Sequence, residues 1–573
     1  MVHILLNIDE IGSKYKDKEE ICVKIQSFSK IVFGIGLTMA LAVWCLPAQA
    51  AIYTWVNTDP TGNWNTLGDW SNSPTGQGPD GANTALITGD ATHNETVALT
   101  TAIGATTPLT ALTVGGGATT NDILNINSPG SLKVNSLTLN GGTINGNSAL
   151  TVNTSTTGFG TLNNGTLNGS INNNSSTLGF NFQNVTLNNV SLTGSSISAF
   201  SHPLSDVFNN NWGNNSYGLF NISGNSSITG TFASGGQQVL HITNGTLTFN
   251  PSSTPSIQSY STQYPPLFVL GSNGNLNIAS SSTVTLGTSE PIPINGGTLS
   301  HTGTGTFNAY AMTGYGTISG PMNVNGGITA QGGTLIVDST SGKTINGTSA
   351  SWGAGTGGIL DLRNNINLSG TPGLFPGGTG IVQLDGVNLT GSGVSYLTGN
   401  TNTPSNTTQV VNNGVNNGIS TLNGSWTNMN KFIIENGAQL NIASGSTLNN
   451  TGVLDFQIAG NGQSGLSGVL DNMGSFTGTG DVTFDLTSLT HQAGGEQWEF
   501  FEGSGWGEPT ANITALGLAS GLTWEIDSVQ GGEIFKLDAT TVAATPEPGT
   551  MILMGLGLAG AALMKRRQAG ANT

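Results

Sequence analysis

From about Thr84 to Asp455, apolar and polar residues alternate in short runs, and each run stops at an Asn-Gly, Gly-Gly or Ser-rich corner. Leu137-Thr-Leu-Asn-Gly-Gly-Thr-Ile-Asn-Gly146, Gly160-Thr-Leu-Asn-Asn-Gly-Thr-Leu-Asn-Gly169 and Asn325-Gly-Gly-Ile-Thr-Ala-Gln-Gly-Gly-Thr-Leu-Ile-Val337 are examples. A period of two buries one face of a strand. Asn and Gly accept positive φ, so each corner turns at little steric cost. Helical periodicity is nearly absent, and the pattern predicts many short strands.

Strands this short cannot bury a face alone. They must stack on similar ones, which is the signature of a repeat architecture. Ile359-Leu-Asp-Leu-Arg363 and Ile381-Val-Gln-Leu-Asp385 set the distance: they align at an offset of twenty-two, placing Ile359 over Ile381, Leu362 over Leu384 and Arg363 over Asp385. A turn of about that length suits a right-handed parallel β-helix. Asn275-Leu-Asn-Ile-Ala-Ser and Gln439-Leu-Asn-Ile-Ala-Ser recur far apart with the same phasing. Gly314-Tyr-Gly-Thr-Ile-Ser-Gly320, Asn325-Gly-Gly and Gly332-Gly-Thr-Leu resemble the passenger repeats of autotransporters and related β-helical surface proteins.

The alternation is interrupted in four places. Trp55, Trp64 and Trp70 fall within sixteen positions among turn formers, and are expected to plug an exposed sheet end. The rival reading is a platform for sugar rings, which flat aromatic faces also suit. Phe200 to Phe220 and Pro251 to Phe268 are rich in aromatics and proline, and are expected as loops or a local cap; Trp212, Tyr217 and Phe220 lie there. From about Gly468 the runs become more aromatic, as in Trp498-Glu-Phe-Phe501 and Glu533-Ile-Phe-Lys-Leu537. That change predicts a small antiparallel β-domain covering the open strand edges at the end of the stack.

Composition narrows the chemistry. Only 8% of the 573 residues are charged and the net charge is −17. Eight of the thirteen basic residues lie before Ala51 or after Met564, which leaves Lys133, Lys343, Arg363, Lys431 and Lys536 in the body. Nucleic acid is excluded as a partner on charge. Both cysteines, Cys22 and Cys45, lie in the first fifty residues, so the body has no disulfide or thiolate metal site.

His93, His202, His241, His301 and His491 are scattered without metal-ligand spacing. No phosphate loop or nucleophile elbow is present, and no cofactor is expected. The sharpest enzymatic alternative is a β-helical polysaccharide lyase or hydrolase using carboxylates on one face. Asp361, Arg363 and Asp385 are candidates, as are Asp481 and Asp485, which share a strand face by their even spacing. The plainer reading of Arg363 and Asp385 is an ion pair between turns, worth at most about 1 kcal/mol if exposed. The chain is not expected to be an enzyme.

The two ends carry addresses. Ile31 to Leu46 is mostly apolar, follows Lys24 and Lys30, and precedes Ala48-Gln49-Ala50, a small-x-small cleavage site. Residues 1–23 are long and charged for such a leader, so either the leader is extended or the start lies downstream. Near the other end, Pro546-Glu547-Pro548 is held extended by its prolines. Fourteen residues from Met551 to Met564 carry no charge, and Lys565, Arg566 and Arg567 close the run. A helix of that length spans about 21 Å, short of a ~30 Å hydrocarbon core, so it suits a transient stop better than a permanent anchor. This order of elements resembles the PEP-CTERM sorting domain of Gram-negative exported proteins. The resemblance implies recognition by an exosortase, removal of the tail and release to the cell surface or a polysaccharide matrix.

The expected organisation is therefore a signal peptide at 1–50, a Trp-rich cap at 51–83, β-solenoid repeats at 84–467, a C-terminal β-cap at 468–544, a sorting signal with its transmembrane helix at 545–567 and a tail at 568–573. The expected fold is all-β, a right-handed parallel β-helix. The expected work is structural or adhesive, with the Sec export machinery and an exosortase as handling partners and exopolysaccharide as a contact. A carbohydrate-binding module using Trp55, Trp64 and Trp70 is the remaining alternative.

Overall fold

A computed structural model describes residues 51–539, apart from internal segments of which 195–217 is the longest. The leader, including Ala48 and Ala50, and the tail, including Pro546, Glu547, Pro548, Lys565, Arg566 and Arg567, lie outside the described residues, as do Trp212 and Tyr217. The described chain is all-β, built from strands, turns and bends. No helix among the described residues is long and apolar enough to cross a membrane.

Nearly every strand from Ile52 to Leu516 pairs in parallel with one further along the chain. Between Met312 and Leu397 the pairs fall into three rows. Met312–Ser319 begins one, in which Ile328 sits on Met312 and Trp352 on Ile328. A second runs Leu335, Leu360, Val382. A third runs Met322, Ile345, Ile366, Leu389. The second row continues through Phe432, Leu454 and Val482.

The expected phase holds: Ile359 pairs with Ile381 and Leu362 with Leu384. A register shift follows at once, so Asn364 pairs with Val387 and Arg363 does not sit directly over Asp385. Turn length is not constant. Asn308 pairs with Asn323, fifteen residues on, and Val190 with Phe232, forty-two on.

Alternate residues point inward and stack into the core. Leu335, Leu360, Val382, Phe432, Leu454 and Val482 form one such line, and Val337, Leu362, Leu384, Ile434, Phe456 and Phe484 another, each at 1% exposure or less. Burying each of these side chains contributes roughly 1.5–3 kcal/mol. Leu276 and Leu440, from the repeated Leu-Asn-Ile-Ala-Ser, are both fully buried.

Corners need residues that tolerate left-handed backbone. Gly245 has φ +101°, and a Cβ there would lie 2.3 Å from the Gly224 carbonyl oxygen on the turn below. Asn364 takes the same region at φ 58° and donates through Nδ2 to Asp338 Oδ1 at 2.5 Å. The short Asn side chain finds a local partner where the backbone bends.

Two expectations are corrected. Phe220 and Phe268 are not in loops: they lie in Gly218–Ser234 and Phe268–Ile278, fully inside the stack, because their large apolar rings fill the inner line. The aromatic change near Gly468 is also not the change of strand direction. Val469–Asn472, Ser475–Gly478, Asp481–Asp485 and Ile513–Leu516 still pair in parallel with earlier strands. Apart from the short antiparallel pairing of Val453–Ala459 with Leu466–Ser467, the direction changes at this end only with Gly532–Ala539, which lies antiparallel between Gln497–Gly503 and Leu522–Val529. Aromatic residues enter before that point because Phe484 must meet Phe500 and Phe535, at ring centroid distances of 4.8 and 4.3 Å.

Candidate functional site

Outward-facing residues on the third row form lines of amides. Asn323 Nδ2 donates to Asn308 Oδ1 at 2.9 Å, Asn346 to Asn323 at 3.0 Å and Asn367 to Asn346 at 3.3 Å. Thr285 Oγ1 accepts from Asn308 at 3.3 Å and extends the line downward. A second line joins Asn365, Asn388 and Asn423 at 3.1 and 2.5 Å, and a third joins Asn125, Asn145 and Asn163 at 2.6 and 2.7 Å. Thr138 and Thr157, and Ser136 and Ser155, are linked in the same way.

The cause is register. In-register parallel strands bring identical positions of successive turns about 4.8 Å apart, close enough for one carboxamide to donate to the next. An amide has two donor hydrogens and two acceptor lone pairs. A ladder member uses one of each along the axis, leaving one of each for a partner. The surface is thus polar, regular and uncharged.

The three N-terminal tryptophans are buried, at 4%, 0% and 3% exposure for Trp55, Trp64 and Trp70. Trp70 meets Trp55 edge-on at 86° and 5.1 Å, and Trp64 at 60° and 4.9 Å. Their indole N–H groups donate to Glu95 Oε2, the Pro79 carbonyl and the Trp64 carbonyl. They present no coplanar exposed row, so the flat faces a sugar platform needs are turned into the protein. Trp70 bridges Trp55 in antiparallel fashion, and Val56 N–H donates to the Asp69 carbonyl while Ser71 N–H donates to that of Thr54. Residues 69–71 therefore cover the outer edge of Ile52–Thr54, the first strand of the stack.

Asp361, Arg363 and Asp385 do come together. One guanidinium nitrogen, Arg363 Nη2, lies 2.6 Å from Asp361 Oδ2 and 3.2 Å from Asp385 Oδ2. The pair is not exposed: Asp361 and Asp385 are buried, although both occupy outward positions by alternation. Burial pushes the Asp361 carboxyl above its ordinary range despite the opposing pull of Arg363, and Asp385 and Asp338 add to the rise. Arg363 itself is raised, chiefly by its hydrogen bond to Asp361, and stays charged. Both carboxylates are thereby held on a cation rather than presented to a substrate.

Asp481 and Asp485 share a face, as their spacing predicts, but Asp485 Oδ1 accepts from the Thr487 N–H and hydroxyl and caps a turn. His301 is buried with Nδ1 2.5 Å from the Pro321 carbonyl, and His241 Nδ1 faces Asn221 Oδ1 at 3.3 Å. No group of three or more potential metal ligands occurs among the described residues.

The functional address sits beyond the stack. Residues 544–567 match the PEP-CTERM protein-sorting motif. The tail is a PEP-CTERM sorting motif. The match takes in Pro546, Glu547 and Pro548, the apolar run and Lys565, Arg566 and Arg567. A PEP-CTERM tail implies an exported protein that is held briefly at the membrane and then processed by an exosortase. No curated protein matches the chain.

Sequence reasoning missed the Lys431–Asp455 pair, with Nζ 2.7 Å from Oδ2. Nothing in the local pattern marks it, because the partners meet only when one turn lies on the next. The PEP-CTERM motif, by contrast, was readable because its elements are contiguous.

Proposed function

We propose that the stack between the leader and the PEP-CTERM tail is a right-handed parallel β-helix that serves as a non-catalytic structural or adhesive element at the cell surface or in the extracellular matrix, in contact with exopolysaccharide. The observation that carries this reading is the set of amide ladders, above all Asn308, Asn323, Asn346 and Asn367, which repeat one hydrogen-bonding unit along the axis without charge. A hydrated polymer offers the complementary repeat of hydroxyls, and many weak hydrogen bonds add along its length. The engagement of Asp361 and Asp385 by Arg363 supports structure over polysaccharide cleavage.

The test is retention of the mature protein on matrix polysaccharide from the producing culture, at low and at high salt. Contacts made by neutral amides are expected to persist as ionic strength rises, because screening acts on charges. Elution by salt, or no retention, overturns the reading. Loss of the exosortase should leave a product whose C-terminus still includes Lys565, Arg566 and Arg567; a truncated product in such cells overturns the processing step.

A further inference from the structure

Among the described residues, three lysine or arginine side chains form ion pairs with aspartate or glutamate: Arg363, Lys431 and Lys536. They sit in different surroundings. Arg363 holds two buried carboxylates but is a guanidinium, which does not give up its proton in proteins. Lys536 lies among Glu525, Asp527 and Asp538, whose side chains are 36–49% exposed, so water keeps every ion solvated. Lys431, about as exposed as Lys536 at 30%, is a primary amine paired with a carboxylate that is only 1% exposed.

We propose that Lys431 and Asp455 become joined by an isopeptide bond, a covalent link between successive turns formed by the folded chain itself. Lys431 opens the strand Lys431–Ile434 and Asp455 lies in Val453–Ala459; the strands pair in parallel with Lys431 on Val453 and Ile433 on Asp455. The lysine side chain therefore crosses diagonally to the carboxylate and brings Nζ to 2.7 Å from Oδ2. That approach is short but poorly aligned for a hydrogen bond, and neither buried carboxylate oxygen has a well-aligned donor. The pair lies on the outward face of these strands beside Ile433, which is 5% exposed, while Phe432, Ile434, Leu454 and Phe456 are fully buried on the opposite, inner face.

Burial pushes the Asp455 carboxyl up, and the charge of Asp485 adds to the rise against the pull of Lys431. The form of the pair that reacts is a free amine beside a carboxylic acid, one proton having passed from Nζ to the carboxylate. Nζ attacks Cγ and the Nζ–Cγ bond forms. A proton passes from the nitrogen to the hydroxyl oxygen, the Cγ–O bond breaks, and water leaves. No oxidant or reductant is required. Holding amine and acid in contact supplies an effective molarity that solution cannot match, on the order of 10⁵ M or more in well-oriented cases. In a body without cysteine, this bond ties neighbouring turns where a disulfide cannot.

The test is the intact mass of the mature chain recovered from its producing cells, with its termini determined. The expected mass is lower than the residue sum by one water, trypsin is expected not to cut after Lys431, and digestion is expected to yield a branched peptide joining Lys431 to Asp455. Lys431→Arg keeps the charge and the fold but lacks the amine, and should restore the full mass. Asp455→Ala should do the same. A wild-type mass equal to the residue sum, with ready cleavage after Lys431, means an ion pair only and overturns the proposal.

Discussion

Phe180 and Phe220 stack within 7° of parallel, 5.8 Å between ring centroids, although forty residues separate them. Phe182 joins the same group at 5.4 Å from Phe180 and 6.2 Å from Phe220. The inner line of the stack thus keeps its register across a turn twice as long as its neighbour, since Leu219 pairs with Val239 only twenty residues on. Phe180–Gly194 and Gly218–Ser234 pair directly in spite of the length of chain between them.

Phe220→Ala tests that rigidity. The ring is fully buried, so its loss leaves a cavity and should destabilise the fold by about 3–5 kcal/mol. Because each turn touches mainly its neighbours, the damage should be local. Hydrogen exchange is expected to rise in Phe180–Gly194 and Gln238–Pro251 and to stay unchanged near Phe456.

The amide ladder makes a different prediction at Asn346, which donates to Asn323 and accepts from Asn367. Asn346→Asp keeps the shape and the acceptor but removes the donor, setting two oxygens against each other. The expected cost is about 1–3 kcal/mol at neutral pH. Acidification should recover much of it, because a protonated carboxyl donates again; Asn346→Ala should show no such recovery. Denaturant unfolding of the two variants at neutral and acid pH reads the difference.

At the N-terminal end, Trp64 is fully buried and its carbonyl accepts from the Trp70 indole. Trp64→Ala should cost about 3–5 kcal/mol and loosen residues 69–71 from the edge of Ile52–Thr54. A freed strand edge recruits other chains. The variant is expected to aggregate in light scattering while its retention on polysaccharide per folded molecule is unchanged; a selective loss of retention would restore the sugar-platform reading.

These residues also show what the sequence made legible. Alternation and corner chemistry are local, so strand faces and the Ile359–Ile381 phase could be read directly. The Pro-Glu-Pro tail is equally local. Phe220 was misplaced because an aromatic in a proline-rich neighbourhood looks the same in a loop and in an inner line, and only stacking decides. Asp361 points outward by alternation yet is buried, which the local pattern alone does not foretell. The meeting of Lys431 with Asp455 likewise depends on which turn lies on which.

Asp361 carries the pH prediction. Its carboxyl is raised above the ordinary 3.8, first by burial, then by Asp385 and Asp338, against the pull of Arg363. A raised group binds its proton more tightly in the folded state than in the unfolded one. Its contribution to stability is therefore complete below the unfolded value and is lost as pH rises through the folded value. This is opposite in sign to the usual salt-bridged aspartate. Between its raised value and 3.8, acidification should stabilise the fold through this site. Asp361→Asn removes the titration while keeping a group that accepts from Arg363. Thermal unfolding of wild type and variant from about pH 7 to pH 4 should show the wild type gaining on the variant as pH falls. A wild type that loses ground to the variant over that range would mean that Arg363 outweighs burial, and that the pair is held in the manner of an exposed ion pair.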